Sequence, residues 1–171
     1  MPPAPIVGPE PLAASHATAD FCSGAPELDE WLQKYALVNH RSGNARVFVA
    51  HRDQQVVGFY ALATAGVTKA ETPEALTKGS VPAQVPCLLL ARLAVDEKEA
   101  NRGLGRALLS DALRRALRVS DDVAFRAVLI HARDEIARSF YLPQAEFVDS
   151  PSDPMHLFLS LKQLQKSASP E

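Results

Sequence analysis

Two glycines that open an amphipathic helix form the most chemically suggestive segment of the chain. Residues 101–105 read Asn-Arg-Gly-Leu-Gly and follow an apolar run that ends at Val95. Glycine lets the backbone turn its N–H groups inward and lets a ligand approach closely. A helix start adds unpaired N–H donors and a partial positive charge, and both favour a phosphate group. The segment therefore predicts a phosphate-binding turn, with Arg102 and Arg106 as flanking cations.

A pair of glycines does not by itself identify a ligand, because an ordinary strand-to-helix turn also uses glycine. The segment is not a Walker loop, since no Gly-Lys-Ser or Gly-Lys-Thr follows it. It also differs from the dinucleotide-binding fingerprint, because its strand lies late in the chain and the third glycine is missing. From spacing alone, a phosphate site and a purely structural turn are equally supported.

Apolar runs and helical periods around this turn predict a mixed α/β protein built on a sheet. A first helix is expected to begin at Pro26, and the long helix after Gly103 carries a wide apolar stripe. The buried face of the first helix is predicted to comprise Leu28, Trp31, Leu32, Tyr35 and Ala36. The predicted strands are Pro5–Val7, Arg46–Ala50, Gln55–Leu62, Cys87–Val95, Ala124–Ile130, Phe147–Val148 and Met155–Leu161, with a further short helix over Asp134–Tyr141.

The length of 171 residues predicts one domain over residues 1–171, with a core over 21–161 and a polar, frayed tail over 162–171. No run approaches the roughly 20 apolar residues that span a bilayer, and the first residues lack the pattern of a signal peptide. Cys22 and Cys87 have no metal-ligand spacing and are expected to be free thiols. These features predict a cytoplasmic protein that does not associate with membranes.

The net charge of −2 excludes an overall positive field, but the arginines are unevenly distributed. Nine of the twelve lie between Arg92 and Arg138, with acidic residues among them. Two interpretations stay open: a solvated surface of mixed sign, or a local phosphate-binding face.

The turn resembles that of the GNAT superfamily of acetyl-CoA-dependent N-acetyltransferases, which has the pattern Gln/Arg-x-x-Gly-x-Gly/Ala. Residues 100–105 match it here, and Ala100 departs from the usual long polar side chain. An alternative register, Arg102 to Ala107, satisfies the pattern literally. We prefer the first because Gly-Leu-Gly-Arg-Ala-Leu-Leu then aligns as it stands in many family members. The resemblance implies the α/β GNAT fold, a mixed and mostly antiparallel central sheet flanked by helices.

Other segments are similar to one branch of that superfamily, the acetyltransferase toxins of bacterial toxin–antitoxin pairs. In that branch the enzyme acetylates the α-amino group of aminoacyl-tRNA and stops translation. A small antitoxin, often of the ribbon-helix-helix type, neutralises the toxin, which is usually a homodimer. The segments that carry this resemblance are Phe21-Cys22, Leu28 to Leu32, Gly58 to Leu62, Leu90 to Asp96 and Ala137 to Tyr141.

The resemblance implies an acetyl-CoA site made largely of backbone groups. A bulge near Leu93 would free N–H groups around Leu93 and Val95 for the thioester carbonyl and the pantetheine arm. Such donors stabilise the negative charge that develops on the carbonyl oxygen. No metal is expected. The implied acetyl-CoA-binding residues are Leu93, Ala94, Val95, Asn101, Arg102, Gly103, Leu104, Gly105 and Arg106.

Tyr141 matches the tyrosine of the family's Phe-Tyr motif and is the expected general acid. A phenol with a pKa near 10 stays protonated at neutral pH and can donate its proton to the leaving CoA thiolate. The alternative is an amphipathic tyrosine that anchors the last predicted helix.

No general base is evident in the sequence, and His131 either lines the site or is a buried structural histidine. A lysine amine has a pKa of about 10.4, whereas an α-amine has a pKa of about 7.7–8.0. The neighbouring ester of an aminoacyl-tRNA should lower the α-amine value further. An α-amine is therefore the favoured acceptor, because it is substantially neutral without an enzymic base.

Arg92 lies in the predicted central strand, where a charge needs a partner or a cleft. It is either a substrate-binding residue near tRNA phosphate or the partner of a nearby acid.

Three functions therefore compete. The first is a toxin that acetylates aminoacyl-tRNA with acetyl-CoA, the second a metabolic N-acetyltransferase for small amines, and the third an inactive acetyl-CoA-binding module.

Overall fold

The computed structural model describes residues 2–168, in which strands and helices follow the predicted order closely. The strands are β1 Ile6–Pro11, β2 Arg46–Arg52, β3 Gln55–Thr68, β4 Gln84–Val95, β5 Ala127–His131, β6 Val148–Asp149 and β7 His156–Ser160. The helices are α1 Pro26–Glu30, α2 Ala36–Ser42, α3 Leu104–Asp122, α4 Glu135–Tyr141 and α5 Leu161–Ala168. A π-helical turn covers Trp31–Tyr35, and 3-10 turns cover Lys69–Glu71, Glu74–Leu76, Glu97–Glu99 and Leu142–Gln144.

The strands hydrogen-bond in the order β1-β2-β3-β4-β5-β7-β6. Strand β4 runs parallel to β5, whereas β1–β2, β2–β3, β5–β7 and β6–β7 are antiparallel. The predicted fold class, a mixed and mostly antiparallel sheet with flanking helices, is confirmed. Within the described residues, no helix combines the length and apolar character needed to cross a membrane.

The chain divides into two compact units. The first comprises the described residues through Ala63 together with Arg92–Asp111, and its apolar core includes Phe21, Leu32 and Phe59. The second comprises Thr64–Ala91 and the described residues from Ala112 onward, and its core includes Cys87, Leu129 and Phe158. A single domain over residues 1–171 stays a prediction.

In this first helical segment the predicted buried face is wrong for one residue, Tyr35. The backbone N–H of Ala36 bonds to the carbonyl of Trp31, five residues earlier, so this turn holds one residue more than an α-helical turn. Leu32 and Ala36 are buried as predicted, but Tyr35 rotates outward and is half exposed. On the exposed side of this segment, Glu30 and Lys34 form an ion pair at 3.2 Å.

The predicted frayed tail is wrong through Ala168, because Leu161–Ala168 is a helix. Leu164 is fully buried and anchors this helix, which the polar residues around it conceal in the sequence. Residues 169–171 of the predicted tail lie outside the described residues. Both cysteines are free thiols, as predicted.

The long helix α3 is joined to β3 by a buried polar contact. The hydroxyl of Tyr60, which is fully buried, donates to Oδ2 of Asp111 at 2.5 Å. The ring of Tyr60 also stacks on Phe48 of β2, with centroids 5.2 Å apart. Because a hydrogen bond to a carboxylate is stronger than a neutral one, this contact fixes the helix against the strand.

Replacing Tyr60 by phenylalanine should lower the free energy of unfolding by about 2 kcal/mol, because Asp111 loses a buried donor while the ring is kept. Urea denaturation followed by circular dichroism measures the change. The half-exposed Tyr35 gives the control, since Tyr35→Phe should alter stability by less than about 0.5 kcal/mol. Equal effects of the two substitutions would contradict a special role for the Tyr60–Asp111 contact.

Candidate functional site

The predicted phosphate turn forms the start of α3. Gly103 has a φ of 87°, and its carbonyl accepts the first helical bond from the N–H of Ala107 at 3.0 Å. Asn101 also has a left-handed φ, of 62°. Helix geometry leaves the N–H groups of the next three residues without an acceptor in the helix. These residues are Leu104, Gly105 and Arg106, which the sequence predicted as acetyl-CoA-binding, and none of them is buried.

Gly58 of β3 underlies this helix start, a role that the sequence prediction missed. A Cβ at Gly58 would lie 3.0 Å from Cδ1 of Leu108 and 3.2 Å from Cδ2 of Leu104. The glycine thus lets the first turns of α3 rest directly on the strand. The sequence signal for this role is the glycine inside an apolar strand, because such a glycine often marks the close approach of another element.

The loop between β4 and α3 is anchored by Asp96, which is buried. Its carboxylate accepts the backbone N–H of Lys98 at 2.9 Å and that of Cys22 at 3.1 Å. The N–H of Glu97 in turn donates to the carbonyl of Cys22 at 2.8 Å. The segment at Cys22 therefore braces the loop that leads into the phosphate turn.

A second acid in this loop, Glu99, is buried and paired. The guanidinium of Arg52 donates from Nε to Oε1 at 2.8 Å and from Nη2 to Oε2 at 3.2 Å. Arg102 approaches Oε2 only to 3.7 Å, and its side chain is 66% exposed. The bond from Arg52 holds the pKa of Glu99 below its usual value, so this carboxylate is ionised at neutral pH.

The predicted backbone site for the thioester lies at the end of β4. The parallel register with β5 ends at Leu90, which pairs with Ile130, and β4 continues through Ala91–Val95. Ala94 is buried, whereas Leu93 and Val95 are half-buried. The bulge near Leu93 and the role of its N–H groups stay predictions.

Arg92 lies against an aromatic ring, and within the described chain no acid is within ion-pair distance of it. Its guanidinium carbon is 4.1 Å from the centroid of Trp31, and Trp31 stacks on Phe59 at 6.1 Å. The alternative prediction of an ion pair with a nearby acid is therefore wrong. Burial lowers the pKa of Arg92, and the π face compensates part of the lost hydration.

Tyr141, the predicted general acid, is the last residue of α4 and only 6% exposed. Among the described residues its hydroxyl has no hydrogen-bond partner, yet no fully buried side-chain polar atom there lacks one. The hydroxyl must therefore be a part of the side chain that solvent reaches. Burial raises the pKa of Tyr141 above its ordinary value, so the phenol is protonated at neutral pH.

His131 ends β5 and is exposed, so the prediction of a buried structural histidine is wrong. Its ring stacks on His156, with centroids 4.0 Å apart. The pKa of His131 is below its ordinary value. The larger cause is partial loss of hydration of the ring, and the smaller is the charge of His156.

The described residues contain one cluster with metal-ligand side chains, formed by Glu10, His16 and His51. Both histidines point Nε2 at the same oxygen of Glu10, at 2.9 and 2.5 Å. Their Nδ1 atoms accept backbone N–H groups from Ala13 and Gln54, so each Nε2 carries the proton. A metal ion bound to Nε2 would require that proton to lie on Nδ1. Nδ1 would then face the backbone N–H donor and could no longer accept its hydrogen bond. The cluster therefore fits a hydrogen-bonded link between β1 and β2 better than a metal site.

Comparison with known families agrees with this geometry: the family model for the acetyltransferase (GNAT) domain matches residues 43–144. The chain belongs to the GNAT acetyltransferase family. The predicted resemblance is thus confirmed, and this GNAT chain contains the strand, turn and helix start on which the resemblance was based.

Individual relatives extend the comparison along nearly the whole GNAT chain. It is 46% identical to the tRNA-acetylating toxin of Mycobacterium tuberculosis (strain ATCC 25618 / H37Rv) over 154 residues, 90% of this chain and 92% of the relative. AtaT complexed with acetyl-methionyl-tRNAfMet has the same fold, with a TM-score of 0.85, 23% identity and coverage of 96% and 99%. A mutant AtaT toxin bound to acetyl-CoA and the C-terminus of the antitoxin AtaR also has this fold. Its TM-score is 0.80 and its sequence identity 22%, with 97% of this chain and 98% of that chain covered.

The raised pKa of Tyr141 can be tested by spectrophotometric titration of phenolate absorbance. Tyr141→Phe should remove a component of the absorbance change that lies at higher pH than the ionisation of an ordinary tyrosine, because burial raises the pKa of Tyr141. Loss of a component that titrates at the ordinary pH of a tyrosine would contradict the burial argument. Unchanged circular dichroism over the same pH range shows that the fold is intact during the measurement.

Proposed function

We propose that this chain transfers the acetyl group of acetyl-CoA to the α-amino group of aminoacyl-tRNA and thereby blocks translation. The similarity to the tRNA-acetylating toxin, which extends over 90% of the chain, is the observation that carries this proposal. The N–H groups at the start of α3 that have no acceptor within the helix support its acetyl-CoA part, because they match the chemistry of a diphosphate.

In this proposal the diphosphate of acetyl-CoA lies at the start of α3. The N–H groups of Leu104, Gly105 and Arg106 donate to it, and the left-handed backbone at Asn101 and Gly103 shapes the turn. The guanidinium groups of Arg102 and Arg106, both exposed, add positive charge from outside. Because these contacts come mostly from backbone, the departure at Ala100 removes one side-chain contact and leaves the turn intact.

The reacting thioester is proposed to lie along Leu93, Ala94 and Val95 of β4. Backbone N–H groups there would donate hydrogen bonds to the carbonyl oxygen as the neutral amine attacks the carbonyl carbon. The carbon–sulfur bond then breaks, the amine loses a proton to water, and Tyr141 donates a proton to the leaving thiolate. The protonated state of Tyr141 and the solvent contact of its hydroxyl support this role.

The proposed partners follow from the same relationship. We expect a small antitoxin of the ribbon-helix-helix type, a homodimer in solution and a cytoplasmic site of action. The solved complex of AtaT with part of its antitoxin supports the existence of such a partner.

A cell-free translation reaction with purified protein provides the direct test. With acetyl-CoA present, translation should stop and mass analysis should detect N-acetylated aminoacyl-tRNA. Acetylation of small amines without inhibition of translation would instead indicate a metabolic N-acetyltransferase. Tight binding of CoA without turnover on any amine would indicate an inactive acetyl-CoA-binding module.

Tyr141→Phe should lower kcat for acetyl transfer by about 10²-fold or more, because the thiolate then leaves without a proton donor. The affinity for acetyl-CoA, measured by calorimetry, should change little, and growth arrest on expression should disappear. Tyr35→Phe is the matched control and should retain full activity. Full activity of the Tyr141 variant would reject Tyr141 as the acid.

We propose that Arg92 binds tRNA, and salt dependence can test this. Arg92→Ala should reduce the slope of log affinity for tRNA against log salt concentration by about 1, because one phosphate contact is lost. Arg92→Lys keeps the charge and should keep the slope. An alanine variant with wild-type affinity and slope would show that Arg92 only packs on Trp31.

A further inference from the structure

The loop that leads into the proposed diphosphate site contains a buried negative charge. Glu99 is 7% exposed and lies only four residues before Gly103, the residue that caps α3. A carboxylate at this place has the same sign as the diphosphate and would repel it unless it is neutralised. The structure must therefore supply a compensating cation that does not come from the ligand-binding side chains themselves.

Arg52, at the end of β2, supplies that cation. Its two bonds to Glu99 engage both carboxylate oxygens, and Nη1 donates to the carbonyl of Ala4. With donors directed to both partners, the guanidinium is held in one position. A bidentate arginine–carboxylate pair of this kind is among the strongest charge-assisted contacts in proteins.

Arg102 is the alternative partner for Glu99, and its contact is weaker. Its guanidinium lies 3.7 Å from Oε2, and two thirds of its side chain is exposed. Since Arg52 already satisfies Glu99, Arg102 can leave this acid at little cost. Without Arg52, the uncompensated carboxylate would attract Arg102 away from the site where an anion would bind.

We propose that Arg52 is a positioning residue for acetyl-CoA: it neutralises Glu99 and so leaves Arg102 available for the diphosphate. This inference rests on the proposed function. It assigns Arg52 no contact with the substrate, since its effect passes through Glu99 and Arg102.

The test uses calorimetry with acetyl-CoA together with steady-state kinetics. Arg52→Met keeps an unbranched side chain that replaces the stem of the arginine, and it removes the charge. It should weaken acetyl-CoA affinity and raise KM about tenfold, with kcat nearly unchanged. Glu99→Gln removes the repulsive charge and should bind acetyl-CoA at least as tightly as the wild type. The double variant Arg52→Met/Glu99→Gln should regain most of the lost affinity.

Recovery in the double variant distinguishes charge compensation from a merely structural bridge, because the double variant lacks the bridge too. Acetyl-pantetheine, which has no diphosphate, is a second probe, and Arg52→Met should leave its kinetics unaffected. Arg46→Met, at the other end of β2, makes the same change of net charge and should bind acetyl-CoA normally. Circular dichroism of each variant reports whether it is folded.

Two kinds of failure can be separated. A wild-type protein that does not bind acetyl-CoA overturns the proposed function and this inference with it. If the wild type binds acetyl-CoA, then unchanged affinity in Arg52→Met, or no recovery in the double variant, overturns the inference alone. Should Arg52→Met not fold, weakened binding in Glu99→Gln overturns it equally, because charge compensation predicts the opposite.

Discussion

Unpaired backbone donors at the start of α3 are the constraint around which the first unit is arranged. The turn before these donors requires a residue with positive φ, and this residue is Gly103. The first turns of α3 also pack directly on β3, because Gly58 has no side chain there. They also need a fixed approach from β4, which Asp96 provides through two backbone donors. Each of these residues acts on the backbone path, so the turn does not depend on the side chain at position 100.

The charged groups inside this unit are compensated by individual neighbouring partners more than by an overall excess of the opposite charge. The buried carboxylate of Glu99 is matched by Arg52, and the half-buried guanidinium of Arg92 is matched by the face of Trp31. Both solutions keep a charged group inside the fold without leaving it unpaired, which would be costly. The overall charge of −2 therefore says little about which anions the site can accept.

Features with a local signal were predictable from sequence, and features built by distant contacts were not. The break between the predicted strands Arg46–Ala50 and Gln55–Leu62 and the start of α3 follow from turn chemistry and period, so sequence predicts their places closely. The pairing of Arg52 with Glu99 joins residues 47 positions apart, and no local sequence pattern indicates this pair. The half-exposed Tyr35 departs from the prediction because the regular helical period does not hold through the π-helical turn. The helical end of the described chain was missed because a single buried residue, Leu164, decides it.

The π-helical turn at Trp31–Tyr35 has a consequence for comparisons among relatives. An α-helix that joins Pro26 to Ser42 with the same end points needs one residue fewer, so the turn is equivalent to a single-residue insertion. An alignment without a gap here would match side chains that differ in direction by about 100° around the helix axis. In this chain the extra residue sets the rotation of the helix at which Trp31 meets the guanidinium of Arg92.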